Sequence, residues 1–166
     1  MKNLKKHVLI LTLGFLLFFG LNVNAADERE GTIVDGSVLL DNTEVVEYIS
    51  PLSEAEIITR GTYLSSGSGR LTIKGTRYVN VFGFTDCNRT SDEVKVTLYL
   101  QRLVGNTWST VYTLGPKVAK NATYVSNSKN YTVTGGYYYR VYGSHSAKKG
   151  STTEATASYT NGLWIK

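Results

Sequence analysis

Residues 94–101 read VKVTLYLQ and residues 108–114 read WSTVYTL, with Gly105-Asn106 between them. In the first run apolar and polar side chains alternate strictly, which is typical of a β-strand with one buried and one solvated face. The Gly-Asn pair favours a tight hairpin turn. We therefore predict an antiparallel hairpin. One face of its second strand should carry Trp108, Thr110, Tyr112 and Leu114.

Strand patterns of the same kind continue on both sides of this hairpin. The further predicted strands are residues 70–74, 78–82, 123–126, 130–134, 137–144, 153–158 and 163–165. Turn residues separate them at intervals of roughly 8 to 12 residues, with few helix formers between. The pattern predicts an all-β fold, an antiparallel β-sandwich that forms one domain over residues 61–166.

A tyrosine-rich run at residues 136–141, GYYYRV, follows a predicted turn. It resembles the penultimate strand of immunoglobulin-like and fibronectin type III sandwiches. In those folds a tyrosine near the strand start hydrogen-bonds back to the preceding corner. The resemblance implies that Tyr137 or Tyr139 has this role, and it implies an architecture without an activity.

The first 25 residues have the three parts of a secretory signal peptide. Lysines come first, an apolar run from Val8 to Leu21 follows, and Val23-Asn24-Ala25 supplies a small-residue cleavage site. The apolar run is shorter than the roughly 18 to 20 residues that a membrane-spanning helix needs. We predict a signal-peptide helix that is cleaved after Ala25, and a secreted, extracellular protein. Contact with the membrane is expected only through the signal peptide, before cleavage.

Residues 26–60 are acidic and the rest of the chain is basic. Nine Asp or Glu residues lie between Asp27 and Glu56, against the single base Arg29. From Ile57 onward the chain carries 14 Lys or Arg and four Asp or Glu, a net charge of +10. Because no regular period runs through residues 26–60, we predict a poorly ordered acidic linker or pro-segment. The alternative is that this acidic segment folds back over the basic domain and masks it.

Cys87 is the only cysteine, so no intramolecular disulfide can form and a hydrophobic core must hold the domain together. Its polar neighbours Asp86 and Asn88 predict a loop. We expect an unpaired thiol without a catalytic role, and pairing between two chains is the alternative.

Catalytic chemistry has no visible site in the sequence. Beyond the signal peptide His145 is the only histidine, which excludes a metal site built from several histidines. A catalytic triad also needs a carboxylate that orients the imidazole. The domain offers only Asp86, Asp92, Glu93 and Glu154. We expect His145 at the surface or in a turn, and we predict no catalytic residue, no metal and no cofactor.

Four blocks of the chain are similar to a family of small secreted proteins from Gram-positive bacteria, catalogued as a domain of unknown function. The blocks are residues 60–64 (RGTYL), 99–103 (YLQRL) followed by Trp108, 136–141 (GYYYRV) with His145, and 160–165 (TNGLWI). The resemblance implies secretion and a compact β domain, and it brings no catalytic residue, ligand or cofactor. We expect residues 26–59 to fall outside this family resemblance.

Binding is the function that the composition favours. The domain holds 11 of the 12 tyrosines and both tryptophans, side chains that commonly anchor recognition surfaces. Strand alternation places Tyr137 and Tyr139 on one side of their strand, and we assign them and Trp108 to the core. The residues on the other side, Tyr138, Arg140 and Tyr142, are assigned to the surface. With the surface lysines added, the predicted ligand-binding residues are Tyr138, Arg140, Tyr142, Lys117, Lys120, Lys148 and Lys149.

The predicted function is a secreted, non-enzymatic module that binds at the cell envelope or in the extracellular matrix. Its expected partner is an anionic cell-wall polymer or a surface carbohydrate, because clustered cations attract polyanions. Secretion argues against nucleic acid. The alternative is a secreted cationic effector or antimicrobial protein that is masked by its acidic N-terminal segment.

Overall fold

The computed structural model describes residues 61–166 and, before them, the backbone of two strands. In chain order the strands are β1 (Ile33–Val34), β2 (Leu52–Ile58), β3 (Leu64–Gly75), β4 (Tyr78–Val104), β5 (Thr107–Thr132), β6 (Tyr137–Lys149), β7 (Thr152–Tyr159) and β8 (Gly162–Ile165). All of them pair antiparallel, which confirms the all-β prediction. This described part contains no helix able to cross a bilayer. The predicted signal-peptide helix and its cleavage site lie outside the described residues.

The predicted hairpin is the β4–β5 pair, and it is much longer than the sequence pattern indicates. Gly105 and Asn106 form its turn between the paired residues Val104 and Thr107. Gly105 has a φ of 59°, which a first turn residue in a two-residue hairpin adopts readily only as glycine. The two strands span 27 and 26 residues.

The prediction that one face carries Trp108, Thr110, Tyr112 and Leu114 is wrong. Gln101 pairs with Thr110, whereas Leu100 pairs with Tyr112, so Val111 is an extra residue in β5. Because successive strand side chains point to opposite faces, one inserted residue moves everything beyond it to the other face.

An interruption in the middle of β4 divides the sheet into two halves. The β4–β5 ladder breaks between Asp86 and Ser91. Before the break β4 pairs with β3, and beyond it the same edge of β4 pairs with β6. The order along the main path is β1-β8-β6-β4-β3-β2, with β5 on the other edge of β4 and β7 on β6.

The two halves fold toward each other, since β3 contacts both β6 and β7 without pairing with either. The main core lies between them. It includes Leu71, Val79, Val81, Val96, Leu98, Leu100, Val141, Leu163 and Ile165, which are at most 1% exposed. Burial of such side chains is the main stabilising contribution in a domain without disulfides.

His145 lies inside this core, fully buried, so the prediction of a surface or turn position is wrong. Its ring fits because two glycines face it. A Cβ atom added to Gly67 on β3 or to Gly143 on β6 would overlap the imidazole. The strand alternation that buries Val141 also directs His145 inward.

Tyr139, near the start of β6, makes a hydrogen bond back to the preceding turn. Its hydroxyl donates a hydrogen bond of 2.7 Å to the Thr134 carbonyl oxygen. Tyr137 instead lies under the Arg102 guanidinium, 4.4 Å from the ring centroid.

The segment before residue 61 contributes to the sheet, so its predicted poor order is wrong for two strands. β2 pairs with β3 along all seven of its residues, and β1 pairs with β8. These two segments form strands because the open edges of β3 and β8 carry backbone donors and acceptors that a neighbouring segment can satisfy. The domain start at Gly61 is tied to β7 through Glu154, whose carboxylate accepts hydrogen bonds from the amides of Thr62, Tyr63 and Leu64.

Cys87 is not in a loop, because it lies within β4 and pairs with Leu64 of β3. Its thiol is free and buried, and the burial raises its pKa. A buried, protonated thiol is a weak nucleophile.

Replacing Gly67 by alanine tests the close approach of β3 to β6. We expect Gly67→Ala to lower the free energy of unfolding by about 1–3 kcal/mol, because the new methyl group must displace the buried His145 ring. Gly75→Ala is the matched control in the same strand, since no atom lies within 4 Å of an added Cβ there, and its effect should stay within about 0.5 kcal/mol. Urea unfolding measures both, and equal effects would contradict the packing described.

Candidate functional site

The side of β4, β6, β7 and β8 that faces away from the core holds most of the predicted binding residues. We call it the outer face and define it by three paired rows. In the first row Tyr138 pairs with Trp164, and Leu103 packs beside them. In the second row Gln101 pairs with Arg140, and in the third Tyr142 pairs with both Tyr99 and Tyr159. Beyond the third row the same face continues through small side chains to lysines.

The first row forms a small apolar cluster with Trp108 of β5. Leu103, Trp108, Tyr138 and Trp164 are all 6–8% exposed, and the Tyr138 and Trp164 rings meet edge to face at 5.0 Å. The prediction that Tyr138 is exposed is therefore wrong, because its neighbours on the same face cover it. Trp108 is buried as predicted, but in this second cluster instead of the main core.

Arg140 is also buried, at 7% exposure, against the prediction of a surface position. Its Nε donates a hydrogen bond of 2.7 Å to Gln101 Oε1. The guanidinium lies 4.5 Å from the ring centroid of Trp108 and 5.0 Å from that of Tyr159. Such cation–π contacts allow a charged group to lie among aromatic side chains. Arg140 therefore joins the first row to the third.

The third row is a ladder of stacked tyrosines across three strands. The Tyr99 and Tyr142 rings are 5.3 Å apart, those of Tyr142 and Tyr159 are 5.0 Å apart, and the planes differ by about 20°. All three side chains are half-buried. Burial raises the pKa of Tyr142, and its two neighbours raise it further, so its hydroxyl stays protonated and can donate a hydrogen bond.

Beyond the tyrosine ladder the outer face carries small side chains, several of them with hydroxyl groups, and then basic side chains. Thr97, Ser144 and Ala157 form the next row, followed by Lys95, Ser146 and Ala155. Lys120 and Lys148 then pair with Glu93 from either side. The Lys95 Nζ lies 3.0 Å from Glu93 Oε1, and this contact with the nearby lysine charges lowers the pKa of Glu93.

The four predicted lysines do not form one patch. Lys120 and Lys148 share the outer face, whereas Lys117 pairs with Val96 and lies on the opposite side of the sheet. Lys149 is engaged in an ion pair of 2.7 Å with Asp92. That carboxylate also accepts the Gly150 amide, which is the main reason that the pKa of Asp92 is lowered.

Sequence reasoning missed Tyr99, Tyr159 and Gln101. Each stands at an outward position of an alternating strand, so the pattern identifies its face. The pattern does not predict the register between strands. The tyrosine ladder depends on that register, because Tyr142 pairs with Tyr99 on one side and with Tyr159 on the other.

The only described histidine belongs to a sealed hydrogen-bonded link between strands. Thr85 Oγ1 donates to the Lys95 carbonyl oxygen at 2.9 Å, so it accepts the hydrogen bond of 2.9 Å from His145 Nδ1. His145 Nε2 then accepts from Ser158 Oγ, also at 2.9 Å. Burial lowers the pKa of His145 to about 4. A neutral ring without solvent contact holds the strands together and has no access to a substrate.

Within residues 61–166 no three His, Cys, Asp or Glu side chains come together in a way that could hold a metal ion. Asp92 and Glu154 each bind backbone amides, and Glu93 binds Lys95.

The buried histidine predicts acid-sensitive stability. The unfolded state takes up a proton near pH 6.5 and the folded state only near pH 4, so the stabilisation is complete above pH 6.5 and is lost as the pH falls toward 4. The loss from this group amounts to about 3 kcal/mol. Urea unfolding of His145→Gln between these pH values should show a much smaller slope with pH. A slope equal to that of the unchanged protein would contradict the burial of a neutral ring.

No curated protein and no solved structure matches the chain. The sequence pattern of one family, described as a family of unknown function (DUF6147), matches residues 25–163. The match includes residues 26–59, so our expectation that they lie outside the family is wrong, in agreement with the pairing of β1 and β2 in the sheet. Because the match covers most of the sequence and nearly all described residues, the chain belongs to the DUF6147 family.

Proposed function

We propose that the protein is a secreted, non-enzymatic binding module that acts at the cell envelope or in the extracellular matrix of a Gram-positive bacterium. Its partner is an anionic cell-wall polymer or a surface carbohydrate. The observation that carries the proposal is the outer face, where a ladder of half-buried tyrosines, a hydroxyl-rich strip and Lys120 with Lys148 follow one another on one side of the sheet.

The proposed architecture is a β-sandwich of the immunoglobulin or fibronectin type III kind. The two halves of the sheet, which share β4 and β5 and enclose the core, support it. The hydrogen bond from Tyr139 to Thr134 supports it further, since such sandwiches carry a bond of this type near the start of a strand.

Secretion rests on the signal-peptide pattern of residues 1–25. The family match supports this reading, because it begins at residue 25, where the predicted cleavage would fall. Absence of catalysis rests on the seclusion of His145 from solvent and on the engagement of Asp92 and Glu93 with a backbone amide and lysines.

The chemistry of the outer face suits an extended polyanion. Lys120 on β5 and Lys148 on β6 are both exposed, and they lie on either side of Glu93 on β4, the strand between them. The hydroxyls of the tyrosine ladder and the side chains of Thr97, Ser144 and Ser146 offer hydrogen bonds to sugar or phosphate oxygens. Acidic β2 pairs with β3 as a strand of the sheet, and its integration into the fold favours a binding module over an antimicrobial protein with a removable mask.

Charge removal on the outer face tests this proposal. In sedimentation with isolated Gram-positive cell walls, Lys120→Ala with Lys148→Ala should reduce the bound fraction several-fold. Added salt should weaken binding of the unchanged protein, because exposed charges are screened over about 10 Å at 0.1 M ionic strength.

The control is Lys74→Ala with Lys117→Ala, which removes the same charge from positions off the outer face. This variant should bind as the unchanged protein does. Equal losses in the two double variants would attribute binding to net charge alone and sink the proposed site. Walls stripped of phosphate polymers distinguish the polymer from a neutral carbohydrate as the partner.

A further inference from the structure

A cavity of about 390 Å³ opens at the end of the core near the start of β6, away from the outer face. Both ends of the long strand β5 contribute to it, together with one residue each from β4 and β6. The lining residues that matter here are Arg102, Val111, Tyr112, Val133, Thr134 and Tyr139. A volume of this size lies within the range of about 300–1,000 Å³ that is usual for small-molecule sites.

Arg102 brings a positive charge to this cavity from the inner side of β4. It is in register with Tyr139 and alternates with Leu100, so its side chain enters the space between the two halves of the sheet. One face of the guanidinium is covered by the Tyr137 ring at 4.4 Å. Stacking of this kind fixes the plane of the group and leaves its edges for hydrogen bonds.

The hydrogen-bonding capacity of Arg102 is not used up within residues 61–166. Its Nε is buried and has no hydrogen-bond partner among them. A buried N–H without a partner is costly, and a charged one more so. No carboxylate lines the cavity to neutralise the guanidinium.

The other walls combine polar groups with apolar surface. The Tyr139 hydroxyl donates to the Thr134 carbonyl and so keeps a lone pair toward its other neighbours. The Tyr112 hydroxyl donates to the Thr132 carbonyl at 3.2 Å, and its ring stacks on Tyr131 at 4.5 Å. Val111 and Val133 supply apolar surface. Because both phenol protons are donated to backbone carbonyls, Arg102 supplies the donors for an oxyanion, while the phenol oxygens can accept hydrogen bonds from sugar hydroxyls. One cation, two acceptor oxygens and an apolar wall suit a small organic anion better than a bare ion.

We propose that this cavity binds the oxyanion group, carboxylate or phosphate, of a sugar-sized molecule, with Arg102 as the principal ligand. Guanidinium groups bind carboxylate and phosphate oxygens through parallel hydrogen bonds, and the attraction is stronger in a partly desolvated cavity than in bulk water. The site is on the inner side of β4, so it is separate from the outer face and does not depend on the proposed function. The bound anion would lie beside the turn at Thr134, to which the Tyr139 hydroxyl is hydrogen-bonded.

The test is an NMR titration of the Arg102 Nε–H signal in the protein as recovered from an expressing host. Glucuronate probes the carboxylate form, glucose 6-phosphate probes the phosphate form, and glucose is the neutral control. We expect a saturable shift with one or both anions and none with glucose. Arg102→Gln should weaken binding by about tenfold or more, as loss of a charged hydrogen bond predicts. Arg89→Gln makes the same change of charge at an exposed position of β4 and should leave affinity unchanged.

A second variant removes space instead of charge. Val111→Phe should fill the cavity and abolish the saturable shift while Arg102 stays in place, so it decides the question even where Arg102→Gln fails to fold. The proposal is overturned by an absence of saturable binding, by equal affinities in the two arginine variants, or by undiminished binding in folded Val111→Phe.

Discussion

The close approach of β3 to β6 around the His145 ring is the constraint on which the rest of the molecule depends. Gly67 and Gly143 leave no side chain where the ring lies, and Thr85 and Ser158 satisfy its two nitrogens. A buried polar ring is tolerated only when both of its nitrogens have partners. With this contact in place the two halves of the folded sheet enclose one core, and each strand acquires an inner and an outer side.

The position of each tyrosine and basic residue on the inner or the outer side of its strand determines what it contacts. On β6, Tyr139 faces inward and fastens the corner at Thr134, while Tyr142 faces outward into the ladder with Tyr99 and Tyr159. On β4, Arg102 enters the cavity from the inner side, whereas Gln101 holds Arg140 on the outer side. One alternation thus produces two chemically different surfaces, a broad outer face that carries tyrosines and lysines and a partly open cavity that contains Arg102.

Sequence reasoning could predict the strands but not their partners. The alternation at residues 94–101 and the Gly105-Asn106 turn gave the hairpin correctly, because both are local signals. The extra residue at Val111 reversed the faces beyond it, and nothing in the local pattern announces such a bulge. Tyr138 and Arg140 were expected at the surface because alternation reports a face and not what covers it. Their burial depends on Trp108, Trp164 and Tyr159, which come from other strands.

An NMR titration of the His145 ring tests this packing most directly. The packing predicts a neutral ring, protonated on Nδ1 and in contact with Gly67, that takes up a proton only near pH 4. A titration midpoint near 6.5, the ordinary value for a solvated histidine, without contacts from the ring to Gly67, would contradict the packing on which both proposed surfaces rest.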